Sequence, residues 1–154
     1  PPERGADRET FIAEMGEILQ ACAAPGITVL LANAPHSIAP TAHALACLIE
    51  DVNSDILRAS YDPAALAHQG GSPFYGELYK GPLRRHLGHV DFLDVVGFSG
   101  EQVVPGCGNS EVVEVLSNLR CRSYSGLVCL WPLPVEKGGL GAALEGFQRI
   151  MGRI

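Results

Sequence analysis

A chain of 154 residues has room for one domain with a true core, and 47% hydrophobic against 18% charged residues marks it as globular rather than disordered. Its net charge of −6 argues against non-specific binding to nucleic acid, whose phosphates need a basic face. No apolar run approaches the roughly 20 residues of a membrane-spanning helix.

The opening Pro1-Pro2-Glu3-Arg4 is charged and turn-like, without the apolar stretch of a signal peptide. The chain lacks an initiator Met, which reads as a processed product or a piece of a longer polypeptide. Five cysteines, Cys22, Cys47, Cys107, Cys121 and Cys129, are an odd number with no C-x-x-C pair. Most sit inside apolar patterns, so they read as small buried hydrophobes in a reducing compartment, and the cytoplasm is expected.

The first predicted helix covers residues 7–24, where Phe11, Ile12, Met15, Ile18, Leu19 and Cys22 form one apolar stripe. Pro25-Gly26 ends it and launches an apolar strand at 27–32. A second helix is predicted over 41–51, facing Leu45, Leu48, Ile49 and Val52 inward, and a second strand at 56–61. A third helix follows over about 75–87, irregular because Gly81-Pro82 must kink it. The third strand spans 89–94. A fourth helix over 110–120 is capped by Asn109 and buries Val112, Val113, Leu116 and Leu119. The fourth strand spans 126–131, and a last helix runs over 140–152.

Nothing marks a linker, so residues 1–154 read as a single domain. Strands alternating with helices, and apolar on both faces, predict a parallel α/β fold. Four such units form either a small open sheet or half of an eight-stranded barrel. In either case the chemistry belongs at the carboxyl ends of the strands.

Those ends resemble a known family. Leu31-Ala32-Asn33 stands where the xylose-isomerase-like barrels carry a Leu-Glu-Asn-like motif after the fifth strand. Tyr61-Asp62-Pro63 is similar to their Tyr/Phe-Asp-Pro/Thr after the sixth. His89-Val90-Asp91-Phe92-Leu93-Asp94 resembles their His-Val-His-x-x-Asp on the seventh. Pro105-Gly106-Cys107-Gly108 matches a Pro-Gly-x-Gly loop, and Tyr124-Ser125-Gly126 leads into an eighth strand that ends at Trp131, where the family has Glu. The superfamily holds sugar-phosphate isomerases and epimerases and the type IV apurinic endonucleases. The resemblance covers nearly the whole chain and implies a (β/α)8 TIM barrel of which this chain supplies strands five to eight.

It also implies a divalent metal (Mn, Mg, Co or Zn) held by Glu, Asp, His and Glu at these four strand ends, polarising a carbonyl while carboxylates move a proton. Carried over by position, Asp62 and His89 remain as a partial metal site. Ala32 and Trp131 replace both glutamates, so metal binding is expected to be weak or absent. The endonuclease reading is weaker still, because Ala65 stands where a further histidine belongs.

Each candidate also has a plain structural reading. Asp62 before Pro63 suits a helix N-cap as well as a ligand. His89 reads as a core histidine or a site residue, with Asp91 on the same face as its hydrogen-bond partner. Asp94 suits a turn bond at the end of the strand. His36 and Asn33, just past the first strand, are placed to touch a substrate hydroxyl. The backbone N–H groups at Gly106 and Gly108 suit an oxyanion, or form an ordinary turn. Trp131 either fills the space of the lost metal or stacks on a sugar ring.

The expected function is therefore isomerase or epimerase chemistry on a small carbohydrate or polyol with a degenerate metal site, or non-catalytic binding on the same fold. Half a barrel exposes two strand edges. An N-terminal half or a second copy of the chain is expected to complete it.

Overall fold

The computed structural model describes residues 4–154; the charged opening at Pro1–Glu3 lies outside them. Helix α1 (Arg4–Ala23) leads to strand β1 (Val29–Ala32), and helix α2 (Ala42–Val52) to strand β2 (Leu57–Tyr61). Helix α3 (Pro63–His68) follows at once. Strand β3 (Leu87–Phe92) comes next, then the short strands β4 (Asp94–Val96) and β5 (Glu101–Val103), helix α4 (Val112–Cys121), strand β6 (Leu127–Leu130) and helix α5 (Gly139–Met151).

The caps explain several boundaries. Thr41 accepts a hydrogen bond from the Ala44 N–H at 3.1 Å and starts α2, and Asn53, in left-handed conformation at φ 49°, ends it. The predicted helix over 75–87 does not form. A π-helical turn at Pro73–Leu78 and a 3₁₀ turn at Pro82–Arg85 stand in its place. Pro82 lacks a donor, and a Cβ on Gly81 would lie 2.0 Å from the Glu77 carbonyl oxygen, so only glycine passes this point.

α4 also starts later than its pattern suggested. Glu111, not Asn109, holds the cap position, in left-handed conformation at φ 51° and without a side-chain cap. Its carboxylate instead accepts the Ser72 hydroxyl at 2.8 Å and the Phe74 N–H at 2.6 Å. Asn109 accepts from the Gly97 N–H.

β1, β2, β3 and β6 form one parallel sheet in that order, and β4 pairs with β5 as a separate antiparallel hairpin that the sequence pattern did not foretell. Sequential order in a parallel sheet is the winding of a barrel wall, whereas doubly wound sheets reverse direction at a switch point.

One core cluster joins the strands to the helices. Leu57, Ala59, Tyr61, Val90 and Phe92 pack with Met15 and Leu19 of α1, Leu45, Leu48 and Ile49 of α2, Val112, Val115 and Leu116 of α4, and Ile150 of α5. Each such side chain contributes about 1.5–3 kcal/mol relative to exposure. The opposite face of the sheet is open and bears Leu30, Ala32 and Leu127, all exposed. The strands are thus covered by helices on one face rather than both. Correspondingly, the cysteines are not core hydrophobes: Cys22 and Cys47 are half-buried, and Cys107, Cys121 and Cys129 are exposed.

The loop after β5 is held by a buried carboxylate. Asp94, only 2% exposed, accepts hydrogen bonds from the N–H groups of Gly106 (2.9 Å), Gly108 (2.8 Å) and Ser110 (3.0 Å). A Cβ on Gly108 would lie 2.3 Å from its Oδ1, so that close approach requires glycine. Asp94→Ala leaves these donors without their acceptor and is expected to destabilise the protein by roughly 2–4 kcal/mol, read as a lower urea midpoint. A loss under about 1 kcal/mol would contradict this anchoring role.

Candidate functional site

A β-bulge decides which residues face the open side of the sheet. β2 and β3 pair Ala59 with Leu87, then Ser60 with His89 and Tyr61 with Val90, so Gly88 is left over between the first two pairs. Partners in a parallel pair share a face. Without the extra residue His89 would lie beside Tyr61 in the core. With it, His89 and Asp91 join Ser60 on the open face, while Val90 and Phe92 turn inward. Gly88 suits the bulge because a Cβ there would meet the Arg58 Cβ at 2.7 Å.

A hydrogen-bonded group results. Ser60, 7% exposed, has its hydroxyl 2.8 Å from His89 Nδ1 and donates to Asp91 Oδ2 at 3.2 Å. The Trp131 indole N–H donates to the other oxygen, Asp91 Oδ1, at 2.7 Å. The Trp131 backbone N–H continues the pairing of β6 by donating to the Phe92 carbonyl. Asp91 faces Cys129 in the β3–β6 register. One ligand atom from each of His89, Asp91 and Cys129 lies within 4.8 Å of the other two.

Asp91, His89 and Trp131 share this face, with Ser60 rather than a direct bond joining His89 to Asp91, 3.9 Å apart, and Ser60 and Cys129 were missed. Both lie two residues before a noted strand-end residue, Asp62 and Trp131. Counting back by twos along each strand would have found them.

Asn33 and Asp62 form a different unit. The Asn33 amide donates to the Asp62 carbonyl at 3.0 Å, and its Oδ1 accepts the Asp62 N–H at 2.8 Å, which ties the ends of β1 and β2 together. The Asp62 side chain turns to α3, accepting from the Ala64 and Ala65 N–H groups at 2.9 and 3.1 Å. His36 is exposed in left-handed conformation at φ 61°. The Gly106 and Gly108 N–H groups are engaged by Asp94, so the anion they hold belongs to the protein itself. At Ala32 the open face carries only a methyl group.

A family model described as xylose isomerase-like TIM barrel matches residues 1–149. The fold is similar to that of a D-tagatose 3-epimerase-like protein, 21% identical, with a TM-score of 0.73, covering 98% of this chain and 57% of that one. It is also similar to a xylose isomerase domain protein from Planctomyces limnophilus, 24% identical, TM-score 0.77, covering 100% of this chain and 55% of that one. A 3-keto-D-glucoside 4-epimerase from E. coli, 18% identical, gives a TM-score of 0.73 with 99% and 56% coverage. The chain spans a little over half the length of each. No curated protein matches it.

Burial raises the Asp62 pKa above its ordinary value of 3.8, the hydrogen bonds from Ala65 and Ala64 oppose this, and the charge of Asp91 adds to the rise. A carboxyl whose pKa is higher in the folded than in the unfolded chain stabilises the fold at low pH and loses that contribution as pH rises through the folded value. Asparagine caps a helix as well as aspartate but carries no charge. Asp62→Asn should therefore be at least as stable as the wild type at pH 7, with its advantage vanishing below pH 3.8. Urea denaturation at several pH values checks this, and a marked loss of stability in the variant at pH 7 would contradict it.

Proposed function

This chain belongs to the xylose isomerase-like TIM-barrel family, and on that premise we propose that it binds a small carbohydrate or polyol on the open face of its sheet, as a sugar isomerase or epimerase-type protein whose hard-metal site is degenerate. The observation that carries this reading is the linked group of Ser60, His89, Asp91 and Trp131 on a face shared with Leu30, Ala32, Arg58, Leu127 and Cys129. Sugar recognition calls for fixed donors and acceptors beside an aromatic surface. Asp91 offers carboxylate lone pairs to hydroxyls. The half-exposed Trp131 ring, oriented by its own N–H bond to Asp91, offers a stacking surface. The sugar epimerases among the similar folds support the same ligand class.

Isomerisation or epimerisation beside a carbonyl needs a group that removes and returns a carbon-bound proton. On this face His89 and Asp91 are the groups able to hold it, with the Ser60 hydroxyl bridging them. A hard divalent cation, when bound, would polarise the carbonyl, but the donor set does not fit the carboxylate-rich cage such an ion wants. Ala32 supplies no donor atom, the indole nitrogen of Trp131 is an N–H donor rather than a ligand, and Asp62 Oδ1 is engaged by two backbone N–H groups. The same facts favour the second reading, a carbohydrate-binding member without catalysis. Both readings require the open face to be closed over by the rest of a barrel, supplied by an N-terminal half or by a second copy.

Incubating the protein with a panel of ketoses and polyols in D2O, followed by NMR, tests both. Saturable binding of a carbohydrate is expected, weakened about tenfold or more in Asp91→Asn. Deuterium appearing at a carbon next to the carbonyl marks the enzyme, and binding without exchange marks the binding protein. No carbohydrate binding, or binding indifferent to Asp91→Asn, would overturn the proposal. A micromolar Mn²⁺ site abolished by Asp62→Asn would overturn the degenerate-site reading.

A further inference from the structure

We propose that the open face carries a three-donor site for a borderline-soft divalent cation, Zn²⁺ above all, formed by His89, Asp91 and Cys129. It shares His89 with the site that the family resemblance implies but takes its other two donors, Asp91 and Cys129, from positions outside that set, and it does not depend on the sugar reading.

The register makes the site. Asp91 and Cys129 are direct partners across β3 and β6, and the bulge sets His89 two residues before Asp91 on the same face. A ring nitrogen, a carboxylate oxygen and a thiol sulfur are therefore mutual neighbours, all within 4.8 Å of one another. In a tetrahedral zinc site, metal–nitrogen and metal–oxygen lengths near 2.0 Å and a metal–sulfur length near 2.3 Å put ligand atoms roughly 3.3–3.5 Å apart. Closing the present triangle calls for movements of about 1 Å, which the exposed Cys129 side chain and its half-buried partners can make by torsion.

The surroundings suit the purpose. The indole N–H of Trp131 holds Asp91 Oδ1, leaving Oδ2 on the side of His89, 3.9 Å from its Nδ1. Ser60 bonds His89 Nδ1 and Asp91 Oδ2 from beneath; a cation on Nδ1 would replace the first of these bonds, leaving Ser60 and Trp131 as the partners that hold Asp91. Such outer partners orient metal ligands and tune their basicity. A carboxylate and a thiolate together cancel the charge of a divalent ion. Thiolate and imidazole donors select Zn²⁺ and its heavier analogue Cd²⁺ over Mg²⁺ and Mn²⁺, which prefer oxygen. Three protein donors leave a fourth position open, the arrangement of catalytic rather than structural zinc.

Cd²⁺ titration of the full chain under reducing conditions tests the site, because a cadmium–thiolate bond gives an ultraviolet charge-transfer band. One equivalent of Cd²⁺ should raise the band, and Zn²⁺, but not Mg²⁺, should abolish it by displacement. The band should vanish in Cys129→Ser, persist in Cys47→Ser, and form in His89→Ala with affinity weakened by more than the roughly 10–100-fold that loss of an outer partner costs. Cys47 is the control because its thiol lies 3.6 Å from His43 Nε2, the competing thiol–imidazole pair. A band that survives Cys129→Ser, or is lost with Cys47→Ser, would overturn the proposal, as would binding without a thiolate band. A second readout needs no variant: Zn²⁺ should slow alkylation of Cys129 by iodoacetamide in the wild-type chain, and unchanged labelling at saturating Zn²⁺ would equally overturn it. Failure of either readout leaves the carbohydrate test standing.

Discussion

The register between β2 and β3 governs the chemistry of the molecule. Side chains alternate across a strand, so a slip of one residue exchanges everything on one face for everything on the other. The extra Gly88 moves His89 from the side of Tyr61 to the side of Ser60 and brings Asp91 with it, while Val90 and Phe92 enter the core. The opposite arrangement would bury an imidazole and a carboxylate among leucines and expose a valine and a phenylalanine. That is costly on both counts. Hydrophobic burial on the helix side therefore pins the polar group on the open side. Gly88 is the residue that lets the backbone pass Arg58 while this happens.

Among the described residues, four carboxylates hold the backbone at turns and helix starts, and Asp91 does not. Asp94 takes the N–H groups of the loop before α4, Glu111 those at Phe74 and Tyr75, Glu77 those that open α2, and Asp62 those that open α3. Each satisfies donors that would otherwise lack partners at turns and helix starts. Asp91 alone among these carboxylates has only side-chain partners, Ser60 and Trp131. Its neighbours can rearrange around a ligand without loosening a loop. This distinction separates Asp91 from Asp62 more clearly than their positions at strand ends do.

Much of the fold was legible in local pattern. The four strands and the helices α1, α2, α4 and α5 follow from apolar spacing, because burial of one helix stripe or one strand face imposes a period. The helix over 75–87 failed where Gly81-Pro82 overrides periodicity, and the β4–β5 hairpin is too short to leave a pattern. At the site, Asp62 was readable both as a cap and as a ligand, and hydrogen-bond geometry places it as the cap of α3. Ser60 and Cys129 stayed hidden because pairing, not sequence, makes them neighbours of Asp91, and a bulge cannot be read from alternation alone.

The open face is a site only if something covers it. β1 and β6 are the edges of the sheet, Leu30, Leu127 and Val128 are exposed beside them, and α5 turns Leu140, Leu144 and Met151 to solvent. A lone parallel sheet with one bare apolar face is a liability that barrels remove by closure. The direct test is the mass of the purified chain in solution by light scattering, with its unfolding followed in the same buffer. A dimer or larger assembly is expected, with stability that rises with protein concentration. A monodisperse monomer of 16.3 kDa that unfolds cooperatively at a concentration-independent midpoint would contradict the half-barrel reading of the site.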